Sequence, residues 1–411
     1  MNIDVKPTYL IMCTAANNNK YYNCFPEGDR FRVEYGRVDA TKTTAYYPMS
    51  KWNAQISSKI KKGYKDVTDL KKDLVEEVSA SNPETPYKEI ENLAVRAIVE
   101  KLQKMARETI QKNYTVKASA VTQDMIDEAQ KIIDALANFS STVEDFNSNL
   151  LKLFTVIPRK MGNVRDHLVN KTEDFAKVIT KEQDLLDVMR GQVYVKPEYE
   201  DVECVDAEKK QQTILEELGL EMEEATADEV AMIKTLMNES AGKFRKAWKV
   251  KNLKTQKRFD KFVADNNIKD TRLLFHGSRS ENFWSIIKTG LVLRPTNAVI
   301  TGKMFGYGCY YAPKCAKSIG YTSLSGSYWA HGGQNTAYMA LFNVAYGTPY
   351  DVYNFDSKYY NLDYNKLQQF KAGANCLHAH ADRGMLRNDE IVVYKEEQMT
   401  IAYLIEIGHE R

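Results

Sequence analysis

Hydrophobic and polar positions change rhythm twice along the chain. Over residues 1 to about 78 the pattern is that of strands. The apolar run Tyr9-Leu10-Ile11-Met12-Cys13 gives way to the polar run Asn17-Asn18-Asn19-Lys20. Tyr21-Tyr22-Asn23-Cys24-Phe25 then leads into Pro26-Glu27-Gly28-Asp29, a turn cluster, and Phe31 to Val38 alternates at period two over its first half. These features predict a strand meander. Residues 51–62 switch to helical spacing, with Trp52, Ile56 and Ile60 on one face and Gly63 placed to end the helix.

A polar stretch with Pro83, residues 79–84, reads as a linker. From 87 to 194 the spacing is helical throughout. Ile98, Leu102 and Met105 share one face; Met125, Ala129, Ile132, Ile133 and Leu136 share another. Thr180-Lys181-Glu182-Gln183 fits a capping box ahead of Leu185, Leu186 and Met189, and Pro158 and Gly162 punctuate the segment after Leu150-Leu151-Lys152-Leu153-Phe154. An antiparallel helical bundle is expected. Residues 195 to about 215 form a second, charged linker. Beyond it short apolar strands alternate with glycine-rich turns, after a capping box at Thr226-Ala227-Asp228-Glu229, and the chain closes with strands at 390–394 and 401–407.

Composition narrows the function classes. The 411 residues predict two or three domains with large cores. A net charge of +2 excludes a histone-like polycation but not a local basic patch. No apolar run is long enough to span a bilayer, and the N-terminal residues do not form a signal peptide. Six cysteines, at 13, 24, 204, 309, 315 and 376, make no C-x-x-C pair and no zinc-ligand spacing, which points to reduced thiols in an intracellular protein. There is no Walker A loop and no full G-x-G-x-x-G, so a Rossmann crevice is not expected.

Four pieces in the last third carry chemistry: Leu273-Leu274-Phe275-His276-Gly277-Ser278-Arg279; Gly302 to Ala312, containing Gly306-Tyr307-Gly308-Cys309-Tyr310-Tyr311; Lys317-Ser318-Ile319-Gly320-Tyr321; and Asn388-Asp389-Glu390 before an apolar strand. A strand ending in His-Gly offers an imidazole and an unobstructed backbone N–H and C=O, the natural partners of a carboxamide. Tyrosine supplies a stacking face for a flat heterocycle, and a serine hydroxyl a third bond to the amide. A carboxylate at a strand start can bind a ribose hydroxyl and favour a positive sugar carbon in a transition state. Taken singly, each residue has an ordinary structural explanation: a satisfied histidine, core tyrosines among 25, turn glycines, a solvated acid. Their occurrence together and in this order is what points to a site.

That joint pattern resembles the catalytic domain of the poly(ADP-ribose) polymerases, the diphtheria-toxin-like ADP-ribosyltransferases, through His276-Gly277-Ser278, Thr301-Gly302-Lys303-Met304-Phe305-Gly306, Gly308 to Ala312, Lys317-Ser318 with Tyr321, and Asn388-Asp389-Glu390. The resemblance implies a split-sheet α+β fold gripping NAD⁺, as substrate and without a metal. It implies a triad of His276, Tyr310 and Glu390, with His276 on the adenosine ribose and Glu390 on the nicotinamide ribose. Gly277 would hold the carboxamide through its backbone, aided by Ser318, and Tyr321 would stack on the nicotinamide opposite Tyr310. Ser278 would lie along the adenosine ribose and Lys317 near Glu390. A glutamate at the third triad position goes with chain elongation in this family. In the longer members an arginine directly follows the Gly-Leu pair equivalent to Gly290-Leu291; here Val292 and Leu293 follow, and Arg294 only then.

Residues 87–194 resemble the helical regulatory domain of the DNA-dependent members, best over Phe146 to Pro158 and Gly162. Residues 1–78 resemble the WGR domain, with Tyr35-Gly36-Arg37 in place of Trp-Gly-Arg. In this reading Tyr35 stacks on an exposed nucleotide and Arg37 pairs with phosphate, and Lys59 and Lys62, near Lys61 and Lys65, add contacts unless they form an ordinary solvated helix face. The expected order is a β-rich WGR DNA-binding domain at 1–80, an all-α helical regulatory domain at 86–195 and an α+β catalytic domain at 210–411. The expected protein is a monomeric, DNA-break-activated enzyme that builds poly(ADP-ribose) on proteins, itself included, with no membrane partner. It would sit in a bacterial cytoplasm or a nucleus. The alternatives are a mono-ADP-ribosyltransferase and an inactive DNA-end-binding scaffold.

Overall fold

A computed structural model describes residues 5–38, 40–71, 87–116, 120–137, 142–193, 212–293, 304–382 and 386–409. The linker expected at 79–84, nearly all of that at 195–215, Cys204, Arg294 and Thr301-Gly302-Lys303 lie outside them. Two compact units are distinguished: residues 1–84 with 107–199, and residues 85–106 with 200–411.

The first unit begins with an antiparallel sheet in the order β4-β3-β2-β1-β5. It comprises β1 (Thr8–Thr14), β2 (Asn18–Glu27), β3 (Arg30–Arg37), β4 (Thr43–Pro48) and the short β5 (Lys65–Asp66). The expected meander is present, with two differences. β2 starts inside the Asn17–Lys20 run, because Asn19 is fully buried with its side-chain amide on the Arg159 carbonyl. β2 also continues through Pro26 and Glu27, since Glu27 pairs directly with Arg30 and only Gly28-Asp29 make the turn. Leu10, Tyr22, Cys24, Phe31 and Val33 build this sheet's core against Trp52 of α1 (Trp52–Lys61). Gly63 follows α1 at φ +93°, a conformation that needs no Cβ there. Ile60 departs from expectation: it is 47% exposed, because the final turn of α1 has run past the edge of the sheet core.

Four further helices are α2 (Leu93–Asn113), α3 (Gln123–Leu136), α4 (Val143–Val156) and α5 (Phe175–Gln192). Their predicted apolar faces are buried, with Leu102, Met125, Ala129, Ile133, Leu136, Leu186 and Met189 at 1% exposure or less. α3 and α4 start at threonine caps, Thr122 and Thr142. The capping box expected at Thr180 is not one. α5 already begins at Phe175, and the Thr180 hydroxyl donates to the Ala176 carbonyl one turn back. The T-x-x-Q spelling fits a helix interior as well as a helix start, and the preceding turn Thr172–Asp174 set the true boundary. Beneath α5, Arg159 and Glu182 form a buried ion pair, with the guanidinium 4.0 Å over the Tyr114 ring.

Residues 85–106 group with the second unit, so the division cuts α2 after Ala106. Within that unit Lys101 of α2 bonds Glu406 at 2.9 Å, and the Tyr338 hydroxyl donates to the same carboxylate. Among its described residues the unit has two sheets. One, in the order β6-β7-β14-β10-β8, is antiparallel: β6 (Leu220–Glu224), β7 (Phe244–Asn252), β8 (Thr271–Gly277), β10 (Thr336–Ala345) and β14 (Met399–Gly408). The other, β11-β12-β13-β9, joins β9 (Cys309–Tyr311), β11 (Pro349–Val352), β12 (Cys376–Ala379) and β13 (Glu390–Val393); β11 and β12 run parallel. The two final strands foreseen in the sequence thus enter different sheets.

β10 is apolar on both faces, as a covered strand must be. Met339 and Leu341 pack with Ile233 and Met237 of α7 (Ala227–Met237) and with Ile319 of α10 (Cys315–Ile319), while Ala345 meets Phe259 and Phe262 of α8 (Leu253–Asp265). α7 starts at the predicted Thr226/Glu229 capping box; the turn α6 (Ile214–Glu217) carries another at Thr213/Glu216, which the sequence reading missed. α9 (Phe283–Thr289) and α11 (Tyr364–Phe370) complete the described helices, with Leu367 of α11 in the core of the second sheet. No described helix is long and apolar enough to cross a membrane.

Candidate active site

Three strands bring the predicted triad together. β8 ends the first sheet, and Phe275 exchanges two 3.0 Å backbone bonds with Ala312, just past β9 of the second sheet. β9 in turn pairs with β13, Tyr310 opposite Val392 and Tyr311 opposite Ile391. Continuing that register puts Glu390 level with Ala312. The residue after Phe275, the residue two before Ala312 and the residue level with Ala312 are His276, Tyr310 and Glu390.

Each side chain is fixed by a specific contact. His276 Nδ1 lies 3.1 Å from the Tyr310 carbonyl. A carbonyl only accepts, so Nδ1 carries the proton in this contact. The Tyr310 hydroxyl accepts from the Phe305 N–H and donates to the Gly306 carbonyl, which locks the ring as a wall. Burial, reinforced by the Glu390 charge and only partly offset by the Phe305 N–H, holds its phenol well above the usual range, so Tyr310 stays neutral.

Glu390 Oε1 lies 2.5 Å from Lys317 Nζ, both side chains being 13% exposed. Lys317 also donates to the Asn388 and Asp389 carbonyls, tying α10 to the entry of β13. Burial lowers the Lys317 pKa, and Glu390 opposes that shift. Among the described residues Glu390 Oε2 has no hydrogen-bond partner, so one carboxylate oxygen is anchored and the other can meet a hydroxyl.

Gly277 lies so close to α10 that a Cβ would fall 1.9 Å from the Ser318 carbonyl oxygen. No side chain fits there, and Ser318 is buried against the strand end. One turn on, Tyr321 keeps 40% of its surface exposed, and burial of the rest, with the Glu390 charge, pushes its phenol up to about 12. The Ser278 hydroxyl accepts from Asn282 at 3.0 Å, and Ser280 is bonded to Ser323 and Gln334. The predicted residues His276, Gly277, Ser278, Tyr310, Lys317, Ser318, Tyr321 and Glu390 therefore cluster around the β8–β9–β13 junction and α10.

Sequence reading missed Trp329, whose ring stacks at 6.1 Å and 18° on Tyr321 and is itself 60% exposed. No periodicity marks it, since it sits in an irregular loop. It also missed Asn282, which orients Ser278.

Residues 227–409 match the family model of the poly(ADP-ribose) polymerase catalytic domain. The poly [ADP-ribose] polymerase-like protein 100L of Invertebrate iridescent virus 6 is 34% identical over 166 residues, covering 39% of this chain and 84% of that protein. The chain belongs to the poly(ADP-ribose) polymerase family. The uncharacterized protein 101L of the same virus is 35% identical over 187 residues, covering 45% of this chain and 76% of that protein. Poly [ADP-ribose] polymerase 2 of Zea mays is 28% identical over 213 residues, or 45% of this chain but only 31% of the maize protein. The catalytic domain is thus that of an ADP-ribosyltransferase, and domains of this family use NAD⁺ as substrate. The residues present suit that substrate: an imidazole, a backbone cradle too tight for any side chain, a partly exposed tyrosine face and a half-anchored carboxylate.

The candidate DNA-contacting residues are placed otherwise. Arg37 donates to the Asn17 carbonyl and side chain, each at 2.9 Å, and to the Gly162 carbonyl at 3.0 Å. Tyr35 lies 5.7 Å from Tyr22. Lys59 Nζ sits 4.0 Å over the Tyr22 ring and near Tyr35 and Tyr64, and burial, then Lys62, lowers its pKa. Lys62 is exposed, as are Lys61 and Lys65.

Proposed function

We propose that the chain is a DNA-break-activated enzyme that builds poly(ADP-ribose) on protein acceptors, itself included, and releases nicotinamide. The observation that carries this reading is Glu390. Held by Lys317 through one oxygen, it keeps the other for the nicotinamide-ribose 2′-hydroxyl. There it orients the attacking hydroxyl and stabilises the oxocarbenium-like transition state, as preorganised charge does in a site shielded from water. His276 Nε2 accepts from the adenosine-ribose hydroxyl. The Gly277 backbone and Ser318 hold the carboxamide, Ser278 lies along the adenosine ribose, and Tyr321 and Tyr310 enclose the nicotinamide ring. The pyridinium is already an activated leaving group, so a metal has no necessary part in this step.

The β-rich sheet of residues 8–66 acts as a WGR-type reader of DNA ends. Tyr35 meets an unstacked base, and Lys62 with its exposed neighbours meets phosphate. Arg37 and Lys59 join them once drawn from their present partners. A phosphate oxygen outcompetes a neutral carbonyl for a guanidinium, so DNA docking withdraws Arg37 from Gly162 and loosens the helical region that restrains catalysis. The enzyme works as a monomer inside the cell, in a nucleus or a bacterial cytoplasm.

Incubation with labelled NAD⁺, with and without nicked DNA, tests the whole reading. The expected result is DNA-stimulated label in long chains resolved on a denaturing gel. Single-unit transfer would reduce the reading to a mono-ADP-ribosyltransferase, and stimulation-free DNA binding with no transfer would leave a scaffold.

A further inference from the structure

On the sheet face opposite Glu390 lies a second constellation of polar side chains. β12 reads Cys376-Leu377-His378-Ala379 and is followed directly by His380. Residues two apart in extended chain share a face, so His378 and His380 point the same way. The parallel pairing of β11 and β12 sets Asp351 directly beside His378. The antiparallel pairing of β12 and β13 sets Ala379 opposite Glu390, which puts Asp389 level with His380 on the histidine face and turns Glu390 to the other.

The side chains follow this register. Asp351, His378 and His380 each offer a ligand atom within 4.8 Å of the other two. His380 Nε2 is 2.8 Å from Asp351 Oδ1, and Asp389 Oδ2 is 3.1 Å from His378 Nε2 and 4.0 Å from His380 Nδ1. The imidazoles are stacked, centroids 3.9 Å apart. Each is held from behind: the Tyr346 hydroxyl is 2.8 Å from His378 Nδ1, and Tyr353 stacks on His380 at 4.5 Å. Outer partners of this kind orient metal-ligating histidines.

We propose that Asp351, His378 and His380 form a binding site for a divalent transition-metal ion of the zinc class, with Asp389 as the carboxylate that supports it. Two imidazoles and a carboxylate, with no thiolate among them, suit Zn²⁺, Co²⁺ or Ni²⁺ rather than Cu⁺ or Ca²⁺. Four-coordinate zinc, with ligands at about 2.0–2.2 Å, needs donor atoms closer together than the 4.8 Å bound, so ion binding draws the three side chains inward. The site braces β11, β12 and the entry of β13, and it takes no part in the transfer chemistry.

The test is cobalt binding to the chelator-stripped full chain, followed by visible absorption and titration calorimetry. One equivalent of Co²⁺, displaceable by Zn²⁺, with ligand-field bands and no thiolate charge-transfer band, is expected. His380→Gln should weaken binding more than roughly tenfold. Asp351→Asn, at an exposed position that leaves the core intact, should weaken it comparably and keeps the test valid if the histidine variant does not fold. Absence of saturable binding, a thiolate band, or unchanged affinity in Asp351→Asn would overturn the assignment.

Discussion

The two stretches that carry the most recognisable residues use them in opposite ways. Around β8, β9 and β13 the motif residues are held by neighbouring strands and by α10, and Glu390 and Tyr321 keep a free oxygen and an exposed ring face. Glu390 gives one oxygen to Lys317 and keeps one; His276 is fixed through Nδ1 on the Tyr310 carbonyl; Tyr321 keeps a face to solvent. In the N-terminal sheet the motif residues bind the protein itself. Arg37 donates to Asn17 and Gly162, and Lys59 lies over a tyrosine ring. The first arrangement is preorganised for a ligand. The second must break contacts before it could bind one, as the proposed DNA switch requires.

The sharpest way to break this contrast is Glu390→Gln. Turnover of labelled NAD⁺ into polymer should fall by roughly 100-fold or more, while nicotinamide-analogue binding, read by calorimetry, changes little. Polymer of unaltered length would remove Glu390 from the chemistry.

Gly277→Ala comes next. Its Cβ would meet the Ser318 carbonyl at 1.9 Å, so β8 and α10 must separate. The expected cost is about 3 kcal/mol of stability by denaturant titration, with loss of nicotinamide-analogue binding. A variant as stable and as tightly binding as the parent would refute the cradle.

On the other side of the contrast, Arg37→Ala removes bonds to Asn17 and Gly162 and should cost about 1–2 kcal/mol. Hydrogen exchange near residues 159–165 should quicken. Stimulation by nicked DNA should weaken, and the slope of DNA binding against salt should drop by about one phosphate contact. An unaltered DNA titration would mean that Arg37 is structural only.

The smallest effect is a pH dependence at the start of α7. The Thr226 backbone N–H, then Lys249 and Tyr403, hold the Glu229 carboxyl down to about 2 from its ordinary 4.5. The ionised form is therefore favoured by folding. Its contribution is complete above about pH 4.5 and disappears as pH falls towards 2. Glu229→Gln should flatten stability across that interval and leave the transfer reaction untouched. Parallel acid-unfolding curves for the two proteins would contradict it.

Legibility in the sequence followed the range of the interaction. The helix faces through Leu102, Ile133 and Met189 were visible because helical period is local, and Thr226 was visible because a capping box spans four residues. Thr180 misled for the same reason: the same four letters also satisfy a helix interior, and only the chain before Phe175 decides. The order His276, Tyr310, Glu390 pointed to one pocket. The joint that makes it, Phe275 with Ala312, could not be read, because pairing across two sheets leaves no mark at either position. Arg37 was legible as a motif residue but not as a residue bonded to Gly162, which lies 125 positions away. Trp329 and the face shared by Asp351 and His378 depend likewise on partners distant in the chain.

The imidazole is carried by one sheet and the carboxylate by the other, and Phe275 and Ala312 stitch the two at the triad. A nucleotide touching both therefore works as a strut across a seam. Filling the cleft should slow amide exchange at Phe275 and Ala312 more than anywhere within either sheet, so that occupancy can be followed at a backbone position that never touches the ligand.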